Sequence, residues 1–172
     1  MLADLSRRDP LVVVGIDPGT RTTGFGVVGR RRGAVLRVDH GAFRPPADDD
    51  VPARLWFLFE RLRELFAHHR PDVIALEQTF FAKNAQSTLR IGEARAVVLL
   101  AAAERRVPVL QYATKVAKRS VTGVGSADKE LVRRMVAADL GLAVLPEPLD
   151  ATDALALALC ALRDPKLDPR FR

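Results

Sequence analysis

The sequence predicts an α/β domain, with helices packed on both faces of a sheet of mixed strand direction. Strand-like segments dominate the first third of the chain, and helical and strand-like segments alternate afterwards. Hydrophobic residues make up 48% of the 172 residues, which suits one core, and no repeat or linker divides the sequence. We therefore expect one domain over residues 11–163, with an N-terminal extension (1–10) and a C-terminal tail (164–172).

Three strands are predicted at the beginning of the chain. Leu11–Ile16 is a continuous apolar run that stops at Asp-Pro-Gly-Thr, as is typical of a strand buried on both faces. Gly24–Val28 and Ala34–Phe43 have strand composition, and the turn residues Arg30–Gly33 lie between them. This order predicts a hairpin or meander that follows the first strand.

Helices and strands then alternate. Apolar residues three and four apart predict a helix over Val51–His69, and a short buried strand follows at Val73–Leu76. Gln86–Arg106 has no proline and is rich in Ala, Leu, Val and Arg, which predicts a long helix. Val107–Tyr112 returns to strand composition, so we expect five strands in all.

The last third of the chain is predicted to be helical. A glycine-containing loop at Thr122–Gly125 is followed by Ser126, which can cap a helix running to about Leu140. An apolar helix is predicted over Ala151–Leu162, and Pro165 lies in the tail beyond it.

The basic residues are concentrated in the middle of the chain. The formal net charge is +6, but residues 83–134 hold eleven basic and four acidic side chains, whereas the remainder holds sixteen basic and seventeen acidic ones. Solvated helix faces explain such an excess as well as a phosphate-binding surface does. A concentrated positive field does, however, attract polyanions such as nucleic acids.

Several classes of protein are disfavoured. Cys160 is the single cysteine, so no disulfide forms within the chain, as expected for the reducing cytoplasm. The N-terminal residues are polar and charged and do not resemble a secretion signal. The apolar stretches are shorter than the about 18 residues that a membrane span needs, so we expect no membrane association.

Acidic residues follow directly after core segments at three places. Asp17 follows the first strand and Glu77 follows Val73–Leu76, while Asp150 and Asp153 lie one helical turn apart in the last, apolar helix. If the two strands are neighbours and the helix start packs across their ends, the four carboxylates converge. They would then repel one another unless cations bind.

Two divalent ions would neutralise this group. Hard oxygen ligands without Cys or His suit Mg²⁺, with Mn²⁺ as a substitute, better than zinc. Such ions would raise the formal charge from +6 to +10 and favour a nucleic acid further. Taken singly, Asp17 is also explained as a turn residue, Asp150 as a helix cap and Asp153 by the helix dipole. Glu77 has no equally simple structural explanation, because an acid inside a covered sheet is costly unless it is paired.

The sequence resembles the RuvC family, the bacterial Holliday-junction resolvases with a ribonuclease-H-like fold. The likeness covers roughly residues 12–162, and its motifs occur in family order. These are GIDPGT at 15–20 followed by TGFGVV, ALEQTFF at 75–81, KNAQSTLRIGEARAV at 83–97, VTGVGSADKELV at 121–132 and DATDALALAL at 150–159.

The resemblance implies a metal-dependent endonuclease that cuts four-way DNA junctions by symmetric paired nicks. Its fold would be a five-stranded mixed sheet flanked by helices, and its metal-binding catalytic residues would be Asp17, Glu77, Asp150 and Asp153. It also implies a homodimer formed through the helix at 86–106, and coupling to the RuvA–RuvB branch-migration complex. The small residues of that helix are explained equally well by burial within one chain.

Several residues are expected to contact DNA. In RuvC proteins the aromatic residue at the position of Phe80 is associated with opening base pairs, and such a ring can stack on an unpaired base. Packing under the following helix is the alternative for Phe80, and it is what we expect for Phe81. Lys118 and Lys129 match lysines that contact DNA in the family. Further phosphate contacts are predicted, although solvated surface charge explains each of them singly; they are Lys83, Lys115 and Arg119.

Three other functions are compatible with parts of the sequence. A YqgF-like RNA-processing nuclease also begins with a strand and Asp-x-Gly, but the segment with Phe80 and the Gly-Ser-Ala-Asp-Lys loop argue against it. An actin-like nucleotide-binding fold needs two related domains, which 172 residues without a repeat do not supply. A non-catalytic DNA-binding module leaves the four acids unexplained.

Overall fold

The computed structural model describes residues 9–78 and 85–167, and in them it shows the expected mixed sheet covered by helices. The five strands lie in the order β3-β2-β1-β4-β5. Pairs β1–β2 and β2–β3 are antiparallel, whereas β1–β4 and β4–β5 are parallel. The elements are β1 (Leu11–Asp17), β2 (Thr23–Arg31), β3 (Ala34–Phe43), α1 (Val51–His69), β4 (Val73–Gln78), α2 (Ala85–Glu104), β5 (Val109–Ala113), α3 (Thr114–Thr122), α4 (Lys129–Asp139) and α5 (Leu149–Leu162).

The sheet lies between two layers of helices, which explains the continuous apolar run of β1. Successive side chains of a strand point to opposite faces. Val13 therefore packs in the cluster that contains residues of α3, α4 and α5, while Val14 and Ile16 pack in the cluster that contains residues of α1 and α2. The side chains of Val13, Val14 and Ile16 are all fully buried. One face of the domain thus carries α3–α5 and the other carries α1 and α2.

Three local features differ from the sequence-based predictions. Helix α3 was not predicted, because only Ala117 and Val121 of its nine residues are buried and the rest are polar or exposed. The cap of α4 is Asp128 and not Ser126, since the Asp128 carboxylate accepts a hydrogen bond from the Leu131 N–H at 2.7 Å. Helix α5 begins at Leu149, so Asp150 lies in its first turn and is not its cap.

Packing continues beyond residue 163, where the sequence analysis placed the start of a tail. The Tyr112 hydroxyl donates to the Asp164 carboxylate at 2.8 Å, and Arg30 donates to the Leu167 carbonyl at 2.8 Å. Leu167 is fully buried. Residues 164–167 are therefore part of the domain. Within the described ranges, none of the helices combines the length and the apolar character needed to cross a bilayer.

Candidate active site

The edge of the sheet at which β1 and β4 end carries two of the predicted carboxylates. The two strands are parallel neighbours, with Ile16 opposite Leu76, so Asp17 and Glu77 leave the sheet side by side. The first turns of α5 lie over the same part of the sheet and add Asp150 and Asp153. The four carboxylates were expected to converge if the two strands are neighbours and the start of the helix packs across their ends, and the structure has this arrangement. We refer to Asp17, Glu77, Asp150 and Asp153 as the four carboxylates.

Glycines allow α5 to lie directly on the sheet. A Cβ atom added to Gly15 would be 1.9 Å from the Ala154 carbonyl oxygen, and one added to Gly24 would be 2.1 Å from that of Asp150. Both distances are far below a van der Waals contact, so no larger residue fits without moving the helix. This role was not predicted from the sequence, although the glycines on both sides of Asp17 in the first two strands were its visible signal.

The four carboxylates repel one another electrostatically. Burial, followed by the charges of Glu77, Asp153 and Asp150, raises the pKa of Asp17 from 3.8 to about 8. The Asp17 carboxyl also forms a hydrogen bond with Glu77. In the metal-free protein Asp17 therefore carries its proton at neutral pH, and a bound cation would relieve this repulsion.

Replacing Asp17 with asparagine is expected to stabilise the metal-free protein. The wild-type carboxyl keeps its proton up to about pH 8 when folded but loses it near pH 3.8 when unfolded, so its contribution to stability is lost as the pH rises across that window. The amide has no such loss. We expect Asp17→Asn to raise the Tm in EDTA by about 5 °C above pH 8, and by progressively less toward pH 4. Calorimetric scans over this pH range would measure the difference; a pH-independent difference would contradict the assignment.

Three polar side chains hold the carboxylates in place. The Thr114 hydroxyl donates to Glu77 Oε1 at 2.6 Å, and the Arg95 guanidinium donates to the Glu77 backbone carbonyl. Lys129 Nζ lies 3.2 Å from Asp153 Oδ2. Neither Thr114 nor Arg95 was predicted from the sequence to belong to the site. The signal for Thr114 was its position directly after β5, the strand next to β4.

Carboxylate oxygens suit a hard divalent cation, but the four carboxylates are not arranged closely enough to form a complete metal site in this structure. Over residues 9–78 and 85–167, no three His, Cys, Asp or Glu side chains form a group that could hold a metal ion. One contact accounts for part of this, since Asp153 is paired with Lys129. Metal binding at this edge would therefore require these side chains to rearrange.

The predicted DNA-binding residues lie mainly beside the carboxylates on α3 and α4. Lys115 and Lys118 line a groove with Thr114, and Lys118 also borders a smaller cavity with Glu77 and Asp153. The Lys118 ammonium donates to the Ala127 carbonyl at 2.6 Å, so it holds the α3–α4 loop as well as facing the site. Arg119 is exposed on the same helix and Lys129 is the first residue of α4. The predictions for Phe80, Phe81 and Lys83 lie outside the described residues.

Comparison with known proteins gives a consistent result. The family model "Crossover junction endodeoxyribonuclease RuvC" matches residues 13–161. A protein of that name from Chloroflexus aggregans is 46% identical over 147 residues, covering 86% of this chain and 90% of the relative. Two solved structures of Thermus thermophilus RuvC, alone and in complex with a Holliday junction substrate, are each 34% identical and cover 87% of this chain and 92% of theirs, with TM-scores of 0.78 and 0.81. These structures confirm the ribonuclease-H-like fold class.

Proposed function

The chain belongs to the RuvC family of crossover junction endodeoxyribonucleases, and from this we propose that it resolves four-way DNA junctions by symmetric paired nicks. The observation that carries the proposal is the convergence of the four carboxylates at one sheet edge beside a basic groove. The family match favours this activity over a YqgF-like or actin-like one. A non-catalytic DNA-binding module is disfavoured because it would not explain four carboxylates that repel one another and the DNA phosphates.

We propose that the four carboxylates hold two divalent ions, Mg²⁺ or, as a substitute, Mn²⁺. The donor set supports this, because carboxylate oxygens are the ligands these ions prefer. Burial first, and then the neighbouring carboxylate charges, raise the pKa of Asp17, so a cation at this position would be favourable. Bound ions would supply an activated water and stabilise the leaving oxygen of a phosphodiester. Four negative charges against two divalent ions leave the site neutral and the protein more attractive to DNA.

Side chains of this protein orient the four carboxylates and bind the DNA strand. Thr114 fixes one Glu77 oxygen by donating to it, and Arg95 anchors the strand end that carries Glu77 to α2. Lys129 offsets the charge of Asp153 in the metal-free protein. If a bound cation offset the charge of Asp153 instead, the Lys129 ammonium would be free to bind a phosphate at the start of α4, where backbone N–H groups also favour an anion. Lys115, Lys118 and Arg119 extend the same positive surface.

We propose that two chains pair through α2. Leu89 is 67% exposed and Leu100 is 63% exposed, although apolar side chains of this size are usually buried. They are eleven residues apart, about three turns, and therefore lie on one side of the helix. A dimer related by a two-fold axis would place one active site on each of two opposed strands of a junction.

A cleavage assay tests the proposed function directly. The protein is incubated with an end-labelled synthetic four-way junction or a linear duplex, in Mg²⁺, Mn²⁺ or EDTA, and its mass is followed by sedimentation at the assay concentration. We expect dimers that make paired nicks in the junction with either metal, leave the duplex intact and are inactive in EDTA. Equal cutting of the linear duplex, or undiminished cutting in EDTA, would refute the proposal.

Two wider expectations concern the location and the partners of the protein. We propose a cytoplasmic location, which agrees with the buried, unpaired Cys160 thiol. We also propose the RuvA–RuvB branch-migration complex as a partner. Co-sedimentation of the three proteins on a junction would test this contact.

A further inference from the structure

A second basic groove lies on the opposite face of the sheet from Lys115 and Lys118. Its walls are the turn between β1 and β2 and the first turns of α2, and its volume is about 580 Å³. Arg21 contributes from the turn and Arg90 from the helix, together with polar groups of Thr20, Thr22 and Gln86. We call this the α2 groove.

The groove lined by Thr114, Lys115 and Lys118 is called the lysine groove. It and the α2 groove flank the sheet edge that carries the four carboxylates, which we call the catalytic edge. The turn that forms the α2 groove begins directly after Asp17, so it leaves the sheet at the candidate active site. Helix α2 packs in the cluster with α1, whereas α3 and α4 pack in the cluster with α5 on the other face of the sheet. The four carboxylates thus lie between two positively charged surfaces on different faces of the domain.

The turn has a defined shape. The Thr23 hydroxyl donates to the Gly19 carbonyl at 2.7 Å, and its oxygen accepts from the Gly19 N–H at 3.2 Å. Thr23 is 1% exposed and Thr20 is 8% exposed, so both side chains are packed into the protein. Arg21 therefore projects from an anchored loop, and its exposed guanidinium faces the groove side of α2.

Four described arginines pair with a carboxylate, and the two groove arginines belong to the larger group that does not. Arg63 pairs with Glu104 at 2.9 Å, and Arg163 pairs with Asp139 at 2.7 Å. Neither Arg21 nor Arg90 forms an ion pair with any residue in the described ranges 9–78 and 85–167. Two guanidinium groups that have no carboxylate partner among the described residues, beside an amide and two hydroxyls, match the chemistry of a phosphodiester backbone.

We propose that the α2 groove binds the backbone of a second DNA strand, one that leaves the branch point on the face opposite to the lysine groove. The inference rests on the proposed function, since it takes DNA to be the substrate. When a linear duplex lies along the lysine groove, neither of its strands needs to cross the four carboxylates to the other face of the domain. In a four-way junction the strands separate at the branch point, so one of them can cross to the α2 groove. The α2 groove therefore favours junctions over linear duplexes.

The double variant Arg21→Gln/Arg90→Gln tests this assignment. Its dissociation constants for a labelled four-way junction and for a linear duplex are measured in EDTA over a range of salt concentrations, after a thermal melt shows that it is folded. We expect about ten-fold weaker junction binding, a log–log salt slope smaller by about one to two, and unchanged duplex binding. The pair Arg21→Lys/Arg90→Lys, which keeps both charges, should retain the wild-type salt slope.

The matched control is Arg105→Gln/Arg106→Gln, which removes the same charge at the far end of α2. We expect its junction binding to match the wild type. If the groove variant also binds the junction like the wild type, or loses duplex binding to the same extent, the α2 groove does not recognise a second strand. Failure of the proposed function would instead be seen in the wild type, as an absence of cutting and of any preference for junctions.

Discussion

Asp17→Asn is expected to lower the rate of junction cleavage by about a thousand-fold and to leave junction binding intact. The amide keeps the size of the side chain but removes one of the charges that would hold the metal ions beside Glu77 and Asp153. Loss of several kcal/mol of transition-state stabilisation is typical when such a site is impaired, and about 4 kcal/mol corresponds to a thousand-fold. Single-turnover cleavage with enzyme in excess would measure the rate, and gel-shift titration would measure binding.

The interpretation of Asp17→Asn depends on two controls. Asp48→Asn makes the same chemical change at an exposed position of the loop before α1, and we expect it to cut at the wild-type rate. The higher Tm expected of Asp17→Asn in EDTA would show that lost cleavage does not come from misfolding. Cleavage by Asp17→Asn within ten-fold of the wild-type rate would remove Asp17 from the catalytic group.

Gly24→Ala is expected to lower both stability and cleavage. The added methyl group would lie 2.1 Å from the Asp150 carbonyl oxygen, so the start of α5 must move away from β2. Overpacking commonly costs about 1–3 kcal/mol, and a clash with backbone places this site at the upper end of that range. Because Asp150 and Asp153 move with the helix, we also expect cleavage to fall by about a hundred-fold. Urea denaturation and the junction assay would measure the two effects.

Gly92→Ala provides the contrast. Gly92 lies within α2, and a Cβ atom added there would have no neighbour within 4 Å. Alanine has the higher helix propensity, so we expect a gain of about 0.5–1 kcal/mol and unchanged cleavage. Equal stability losses in Gly24→Ala and Gly92→Ala would show that the packing of α5 on the glycines is not what positions the carboxylates.

The order of strands and helices was largely predictable from the sequence. A strand between two helix layers is buried on both faces, so β1 and β4 were predicted from their short apolar runs. Helix α1 has one buried face, so it was predicted from the helical spacing of its apolar residues. The same reasoning located Asp17 and Glu77, because an acid directly after a buried strand is unusual. Helix α3 was not predicted, since two buried residues among nine do not produce a recognisable helical spacing of apolar residues.

The sequence by itself determined which residues carry charge and which segments must be buried, because both are properties of the side chains along the chain. Only the tertiary structure decided that β1 and β4 are neighbours, that Gly15 and Gly24 bring α5 onto them, and that Lys129 contacts Asp153. It also placed Arg21 and Arg90 in one groove, although 69 positions separate them in the sequence. Contacts of this kind depend on how whole elements pack across a sheet, and the local sequence pattern of a segment does not specify which distant segment it contacts.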